Sequence, residues 1–289
     1  MKLLVLPDIH NNFIRAQSII ESVPHDKVVL LGDYFDSFGD SITLTENTAN
    51  WLKEKVLDNP NIIALLGNHD TQYIWNDNVH FRCSGFADRK NAVISEILTP
   101  ELKRRFKTYY AGEGYVFTHA GVSNQIWKWA KQRFPENPGK PHYDFFVEVL
   151  EELSKEAIND ADHGRDTQLF AAGWDRGGFA RHGGINWVDW NHFSPVNGIN
   201  QIVGHTRRKI PSILVQKEGG SVSSTNVLEY YKRPYKGKTL SVNYCLDTAL
   251  GHYAVVENGD VRIYDHINQI DLREVAKYAI PASELNSLT

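Results

Sequence analysis

The chain has 289 residues, 42% of them hydrophobic, so it can bury a substantial core and intrinsic disorder is not expected. Its formal net charge of −4 argues against a protein that coats duplex nucleic acid, which usually carries a strong basic surface. With only Cys83 and Cys245 as cysteines, and no apolar stretch near the ~18 residues of a membrane span, the sequence excludes a disulfide framework, a cysteine-based zinc site and a membrane-spanning helix.

Short apolar runs recur along the chain, and each is followed by a polar cluster. They lie at residues 3–6, 28–31, 62–66, 115–117 and 202–203. Because Val, Ile and Leu dominate the runs without alternating with polar residues, the runs are typical of strands buried on both faces.

Helical patterns separate these runs. Apolar residues spaced three and four apart predict a helix over residues 13–23, with Asn11 or Asn12 as its N-cap. Further helices are predicted over residues 48–57, over residues 91–98 and from Thr99-Pro100-Glu101 onward. The alternation of strand and helix predicts an α/β fold, in which ligands bind at the carboxyl ends of the strands.

We expect a single domain over residues 1–289. The alternation of strand and helix stops at about residue 124. Residues 124–200 hold a predicted helix at 143–159 and a segment rich in Gly and Trp, which we interpret as a cap-like insertion over the site. Trp187 and Trp190 are expected to pack a small cap core, and the alternative is that one of their rings stacks on a nucleobase. The tail returns to strands at 239–246, 252–257 and 261–265, followed by a helix that begins near Asp271.

Residues with metal-binding chemistry follow the predicted strands. Asp8 and His10 lie two apart, so their side chains point the same way along an extended segment. Each short motif alone is more often an ordinary turn, but five successive strand ends with such residues favour a site for two metal ions bridged by an oxygen ligand. Asp33 is the candidate bridge because Gly32 permits a close backbone approach. The complete strand-end set is Asp8, His10, Asp33, Asp36, Asn68, His69, His119 and His205.

The ordered motifs DIH, GDYFD, GNHD, THAG and GHT, between residues 8 and 206, resemble those of the calcineurin-like metallophosphoesterases. The resemblance is closest to the branch that holds serine/threonine protein phosphatases and diadenosine-polyphosphate hydrolases. It implies a four-layer α/β/β/α sandwich and two divalent metal ions, with Mn²⁺ expected and Fe, Zn or Mg as alternatives. The implied ligands are Asp8, His10 and Asp33 for the first ion, and Asp33, Asn68, His119 and His205 for the second.

The resemblance also implies catalytic roles. His69 would protonate the leaving oxygen, Asp36 would orient His69, and a hydroxide bridging the metals would be the nucleophile. Arg176 is placed similarly to a phosphate-binding arginine of that branch, although a salt bridge with Asp175 is an equally good interpretation.

Four positions depart from the family's pattern. Ser37 stands where the protein phosphatases usually have a second phosphate-binding Arg, which puts protein-phosphatase activity in doubt. Pro7 and Asn11 stand where they usually have Gly. Arg207 stands where many phosphodiesterases of the wider family have another metal-binding His, which argues against that branch.

The predicted function is therefore hydrolysis of a phosphomonoester, with a phosphoprotein or nucleotide as substrate. A nucleotide pyrophosphohydrolase acting on dinucleoside polyphosphates is the alternative, and a non-catalytic scaffold is disfavoured because no ligand is missing. The initial apolar run of four residues is too short for a signal peptide, so we expect a cytoplasmic protein without a membrane partner.

Overall fold

The computed structural model describes residues 1–37, 39–135 and 138–278. Its strands form two mixed sheets. In chain order they are β1 (Leu3–Leu6), β2 (Lys27–Leu30), β3 (Ile62–Ala64), β4 (Tyr110–Gly112), β5 (Tyr115–Phe117), β6 (Asn200–Val203), β7 (Ser212–Lys217), β8 (Val222–Asn226), β9 (Thr239–Cys245), β10 (His252–Glu257) and β11 (Asp260–Asp265).

The first sheet has the order β11-β10-β1-β2-β3 and the second has the order β4-β5-β6-β9-β7-β8. Strands β1, β2 and β3 are parallel, and so are β5, β6 and β9 in the other sheet. Each sheet therefore has three neighbouring strands whose carboxyl ends lie at one edge, which is where ligands bind in sheets of this kind.

Helices pack against both sheets. They are α1 (Phe13–Ser22), α2 (Ile42–Trp51), α3 (Asn68–Ile74), α4 (Asp88–Ile97), α5 (Pro100–Lys103), α6 (Asn124–Arg133), α7 (His142–Asp162), α8 (Val227–Lys232) and α9 (Leu272–Tyr278).

The apolar strands are buried on both faces because a different core lies on each side. Leu4 and Leu6 of β1 pack in the cluster that also holds α1, α2 and α4, whereas Leu3 and Val5 pack in the cluster between the sheets with Ile202 of β6. A third cluster joins β5 to α6 and α7. The order helix, sheet, sheet, helix confirms the predicted α/β sandwich.

Several predicted boundaries move by a few residues. The helix expected over residues 48–57 is wrong at its start, because Ser41 caps α2 by accepting a hydrogen bond from the Leu44 amide. Its last turn is a π-helix at Leu52–Val56. The helix expected at 91–98 begins earlier, as α4 at Asp88, and the helix expected at 143–159 is longer at both ends, as α7 over His142–Asp162. The strand predicted at 62–66 ends at Ala64.

In the part of the chain that the structure describes, every helix is too short or too polar to cross a lipid bilayer.

Candidate metal centre

The predicted ligands follow the parallel strands of both sheets. Asp8 and Asp33 follow β1 and β2, and Asn68 begins α3 just after β3. His119 and His205 follow β5 and β6 of the other sheet. The two sheets face each other, so side chains that are far apart in the sequence meet at one edge of the sandwich.

One group of side chains surrounds the ring of His119. Its Nε2 atom lies 3.1 Å from Asn68 Oδ1, 3.1 Å from His205 Nδ1 and 3.4 Å from Asp33 Oδ2. The other ring nitrogen, Nδ1, lies 2.8 Å from the carbonyl oxygen of Leu31 and must donate to it. Nε2 of the neutral ring then carries the lone pair and faces two oxygen acceptors, those of Asp33 and Asn68, so a cation in this space, either a proton or a metal ion, would relieve their repulsion.

A second group shares one carboxylate with the first. Ligand atoms of Asp8, His10 and Asp33 lie within 4.8 Å of one another, as do those of Asp33, His119 and His205. His10 donates Nδ1 to the Phe35 carbonyl at 3.0 Å, and its Nε2 lies 3.7 Å from Asp33 Oδ2. Asp33 belongs to both groups, which is the position that the sequence predicts for a bridging ligand.

The donor set fits divalent metal ions. Carboxylate, imidazole and amide groups are ligands for Mn, Fe and Zn, and several carboxylates in one buried space repel one another unless a cation lies between them. In addition, the buried Nε2 of His205 has no hydrogen-bond partner among the described residues. All six predicted ligands are thus brought together, with buried or half-buried side chains.

The charges of the centre shift its pKa values in opposite directions. Burial raises the pKa of Asp33, but the neighbouring His119, His69 and His10 outweigh it and hold that pKa well below its usual range. Burial, followed by the charge of Asp247, raises the pKa of Asp8 to about 7. Asp33 is therefore the carboxylate that stays ionised most readily.

The two histidines of the first group differ in charge. Burial lowers the pKa of His119, but the charge of Asp33 and its hydrogen bond outweigh burial and raise it to about 9. Burial and the positive charges of His119 and Arg176 hold the pKa of His205 well below its usual range. His205 is therefore neutral and has a lone pair for a metal ion.

The backbone of the centre is held in unusual conformations. His10, Asp33, Asp36 and His205 have φ values of 43°, 51°, 63° and 67°, in the left-handed region that non-glycine residues rarely adopt. Such residues cost about 1–3 kcal/mol each and persist where the surrounding contacts fix them. Here backbone amides and carboxylates supply those contacts.

Asp8 shows how close the segments approach. Its two carboxylate oxygens accept hydrogen bonds from the backbone amide of His205, at 3.0 Å each. A Cβ atom at Gly204 would lie only 2.0 Å from Asp8 Oδ1. Any side chain at Gly204 of the GHT motif would therefore collide with the carboxylate of Asp8, which follows a different strand.

Asp36 and His69 form the predicted pair. His69 Nδ1 lies 3.0 Å from Asp36 Oδ2, and Asp36 also accepts hydrogen bonds from Gln72, Tyr73 and Lys90. Sequence reasoning missed these three donors. Gln72 and Tyr73 lie three and four residues after His69 on α3, so all three side chains lie on the same face of the helix. Lys90 comes from α4, and no sequence pattern connects it to the site.

Asp70 is another residue that sequence reasoning missed. Its buried carboxylate accepts hydrogen bonds from the backbone amides of Asp33, Tyr34 and Gly67, at 2.7–2.8 Å. It thereby joins the end of β2 to the turn that carries Asn68. The acidic residue at the end of the GNHD motif was the available signal.

Arg176 lies beside the centre but does not contact the ligands. It forms an ion pair with Asp189 at 2.6 Å and donates to the hydroxyl of Thr206 at 3.3 Å. The alternative interpretation, a salt bridge with Asp175, is not what the structure has, because Asp175 pairs with His192 at 2.9 Å. Trp187 and Trp190 are buried, and the ring of Trp187 lies 5.9 Å from that of His205.

Two facing mixed sheets with a cluster of metal-binding side chains at their shared edge define a metallophosphoesterase fold. A family model described as calcineurin-like phosphoesterase matches residues 1–213, and the chain belongs to that family. As a member of it, the protein is a phosphoester-hydrolysing enzyme of a family that uses divalent metal ions. None of the curated proteins compared with the chain matches it.

Comparison with solved structures found several matches. A cold-active protein-tyrosine phosphatase of the psychrophile Shewanella sp. has 14% sequence identity and a TM-score of 0.52, with 94% of this chain and 80% of that chain covered. A protein serine/threonine phosphatase from Saccharomyces cerevisiae has 13% identity and a TM-score of 0.38, with 94% and 83% covered. At these identities the first likeness is one of fold alone.

Proposed function

We propose that the protein hydrolyses phosphomonoesters with two divalent metal ions. Asp8, His10 and Asp33 would hold one ion, and Asp33, Asn68, His119 and His205 the other. The observation that supports this most is that ligand atoms from both sheets lie within 4.8 Å of one another in two groups that share Asp33. A mixed set of carboxylate, imidazole and amide ligands favours Mn²⁺ as the ion, with Fe, Zn and Mg as alternatives.

Bound metal ions would supply positive charge for the phosphate and a water that ionises near pH 7. The chain itself supplies the proton for the leaving oxygen. His69 is the donor, and Asp36, 3.0 Å from its Nδ1, fixes the tautomer and stabilises the charged ring. Burial lowers the pKa of His69, but Asp33 and Asp36 outweigh it and raise that pKa well above the usual range, so the ring holds a proton to donate.

Arg176 is proposed to bind the phosphate. Its guanidinium is held near the centre by Asp189 and Thr206, and a guanidinium can bind two phosphate oxygens at once. Substrate binding would require Arg176 to exchange part of its contact with Asp189 for the phosphate.

Removal of the imidazole at His69 tests the proposal. We expect His69→Ala to bind Mn²⁺ like the wild type but to lose at least ~100-fold in kcat on a monoester with a poor leaving group. The matched control is His163→Ala, which removes an exposed histidine at the end of α7. Equal turnover of His69→Ala and wild type on alkyl phosphates would contradict the role of His69.

A nucleotide pyrophosphohydrolase is the second candidate, because Ser37 replaces a phosphate-binding Arg of the protein phosphatases. An activity panel separates the two. It compares phosphoserine and phosphotyrosine peptides, dinucleoside polyphosphates and a cyclic nucleotide, with Mn²⁺, Mg²⁺ and Zn²⁺ added separately. The phosphotyrosine peptide is included because the similar structure from Shewanella sp. is described as a protein-tyrosine phosphatase. A cytoplasmic location stays a prediction, and cell fractionation tests it.

A further inference from the structure

A cavity of about 700 Å³ opens beside the metal centre, between residues 79–84 and residues 166–180. Its inner wall is built from neighbours of the proposed catalytic groups. The Sγ atom of Cys83 lies 3.7 Å from His69 Nδ1. The wall also includes Trp187, whose ring lies 5.9 Å from that of His205, and Arg176, which donates to the hydroxyl of Thr206. The inner end of the cavity therefore borders the ring of His69, whose other nitrogen, Nε2, would protonate the leaving oxygen.

Phe179 stands on the rim of the cavity with 89% of its surface exposed. The turn that carries it is closed by three hydrogen bonds: the Trp174 amide donates to the Ala180 carbonyl, the Gly178 amide to the Gly173 carbonyl, and the Trp174 indole to the Phe179 carbonyl, at 2.9–3.0 Å. The same turn includes Arg176. The backbone that carries the ring of Phe179 is thus tied to the backbone around Arg176, the phosphate-binding candidate.

The opposite wall is also apolar at its rim. Val79 is 60% exposed, and the ring of His80 lies 6.5 Å from that of Phe179 with an interplanar angle of 73°. A large exposed aromatic ring that faces a cavity with an apolar rim is typical of a site that binds another apolar group.

The charged groups of the cavity already have partners. The guanidinium of Arg82 lies 4.3 Å above the ring of Phe86, and Arg176 pairs with Asp189. His80 lies 3.9 Å from Asp166. The surface that remains without a partner is therefore the aromatic rim, which selects for an uncharged planar group rather than for a second anion.

We propose that this cavity binds the leaving group of the substrate, and that this group carries a planar aromatic ring that packs on Phe179. The inference rests on the proposed phosphomonoesterase function, because only then does the substrate have one organic group, next to His69. The source of the ring is a tyrosyl side chain or a nucleobase, and both have the same stacking chemistry.

Two substrates with closely matched leaving groups isolate the ring. Benzyl phosphate and cyclohexylmethyl phosphate both release a primary alcohol, but only the first has a planar aromatic group. We expect wild-type kcat/KM to be about fivefold higher for benzyl phosphate, since aromatic pairs are worth about 0.5–1.5 kcal/mol beyond area burial. Phe179→Ala should remove this preference, and Phe179→Leu, which keeps apolar area, should also remove it. Ile267→Ala, which truncates an exposed apolar side chain away from the cavity, should leave it unchanged.

The outcomes separate this inference from the proposed function. If the wild type hydrolyses both substrates but Phe179→Ala keeps the preference, the inference is wrong and the phosphomonoesterase function stands. If neither substrate is hydrolysed, the proposed function fails, and the affinity for benzylphosphonate, measured by calorimetry, tests the cavity separately. Tighter binding to wild type than to Phe179→Ala supports the cavity, and equal binding or no binding overturns it. O-phosphotyrosine and adenosine 5′-monophosphate, assayed with the same variants, identify the source of the ring.

Discussion

The carboxylate of Asp36 is shared between two cationic groups. One of its oxygens lies 3.0 Å from His69 Nδ1, and the other lies 2.8 Å from the ammonium of Lys90. Lys90 also lies 2.8 Å from Asp40, so it neutralises two acidic side chains in a space from which water is largely excluded. The orientation of the proposed proton donor therefore depends on a lysine from another helix.

Replacement of that lysine should be costly. We expect Lys90→Met to lower the free energy of unfolding by about 3 kcal/mol, because two nearly buried carboxylates lose their cation. Lys155→Met is the control, since Lys155 is 60% exposed and water screens its pairs with Glu151 and Glu152, so its loss should change the free energy of unfolding far less. Urea denaturation of the two variants measures the difference, and similar losses in both would show that Lys90 is not a buried partner of Asp36.

The pKa values of the centre predict that metal binding releases protons. In the metal-free protein the pKa of His119 is raised to about 9 and that of Asp8 to about 7, so both hold protons at low pH, and an arriving metal ion must displace them. Burial lowers the pKa of a third proposed ligand, His10, but Asp33 in particular outweighs burial, so that pKa is raised as well. Because the proton occupancy of all three groups falls as pH rises, we expect more protons to be released per ion at about pH 6 than at about pH 8.5. Calorimetric titration with Mn²⁺, in buffers of different ionisation enthalpy, measures this number. A release that does not change with pH would contradict the assignment.

At the scale of elements, the site depends on how closely the strand ends approach one another. β2 ends at Leu30, and Gly32 follows with φ +105°. A Cβ atom there would lie 2.5 Å from the amide nitrogen of Gly67, at the turn that leads into α3. The sequence predicted that Gly32 permits a close backbone approach, but it did not indicate which segment approaches.

A matched pair of glycines tests this approach. We expect Gly32→Ala to cost about 3 kcal/mol or more, because it adds both backbone strain and a backbone clash. Gly219→Ala should cost about 1 kcal/mol, because Gly219 also has a positive φ, of +89°, but open space around it. Denaturant titration gives both values. Equal costs would mean that strain alone, and not the contact with Gly67, matters at Gly32.

The helices show the same division between local pattern and contact. The apolar spacing of α7 predicted a helix, and the structure has one over His142–Asp162. The start of α2 was missed because its only local signal is the Ser41 cap. The hairpin of β7 and β8 was missed as well, and its outer strand, β8, is largely polar. Such elements are stabilised by neighbours that one segment of sequence does not reveal.

At the scale of the whole molecule, the proposed metal ions would join the two sheets. Asp8 and Asp33 belong to the first sheet, and His119 and His205 to the second, with an apolar cluster between the sheets. Binding at this position stabilises the folded chain in proportion to its affinity, because the unfolded chain does not hold these ligands together.

Added Mn²⁺ should therefore raise the melting temperature. At a concentration ~100 times Kd the gain is about 2.7 kcal/mol, or about 5 °C for a chain of this size. We expect His205→Ala to lose most of this gain, whereas His163→Ala, which removes an exposed histidine, should keep it. Differential scanning calorimetry with Mn²⁺ and with a chelator measures the shift. An unchanged melting temperature in the wild type would show that the centre does not bind the ion.

The sequence alone determined the general architecture and the set of side chains that folding brings together. Buried strands without alternation need a core on each face, and the order of Asp, His and Asn at their ends was enough to predict which side chains meet at one edge of the sandwich. Only the tertiary structure decided the contacts of Asp36 with Lys90, of Gly32 with Gly67, and of Arg176 with Asp189 rather than Asp175. The physical reason is that residue type and local spacing are properties of one segment, whereas a buried charge or a backbone contact depends on a partner that folding brings from elsewhere in the chain.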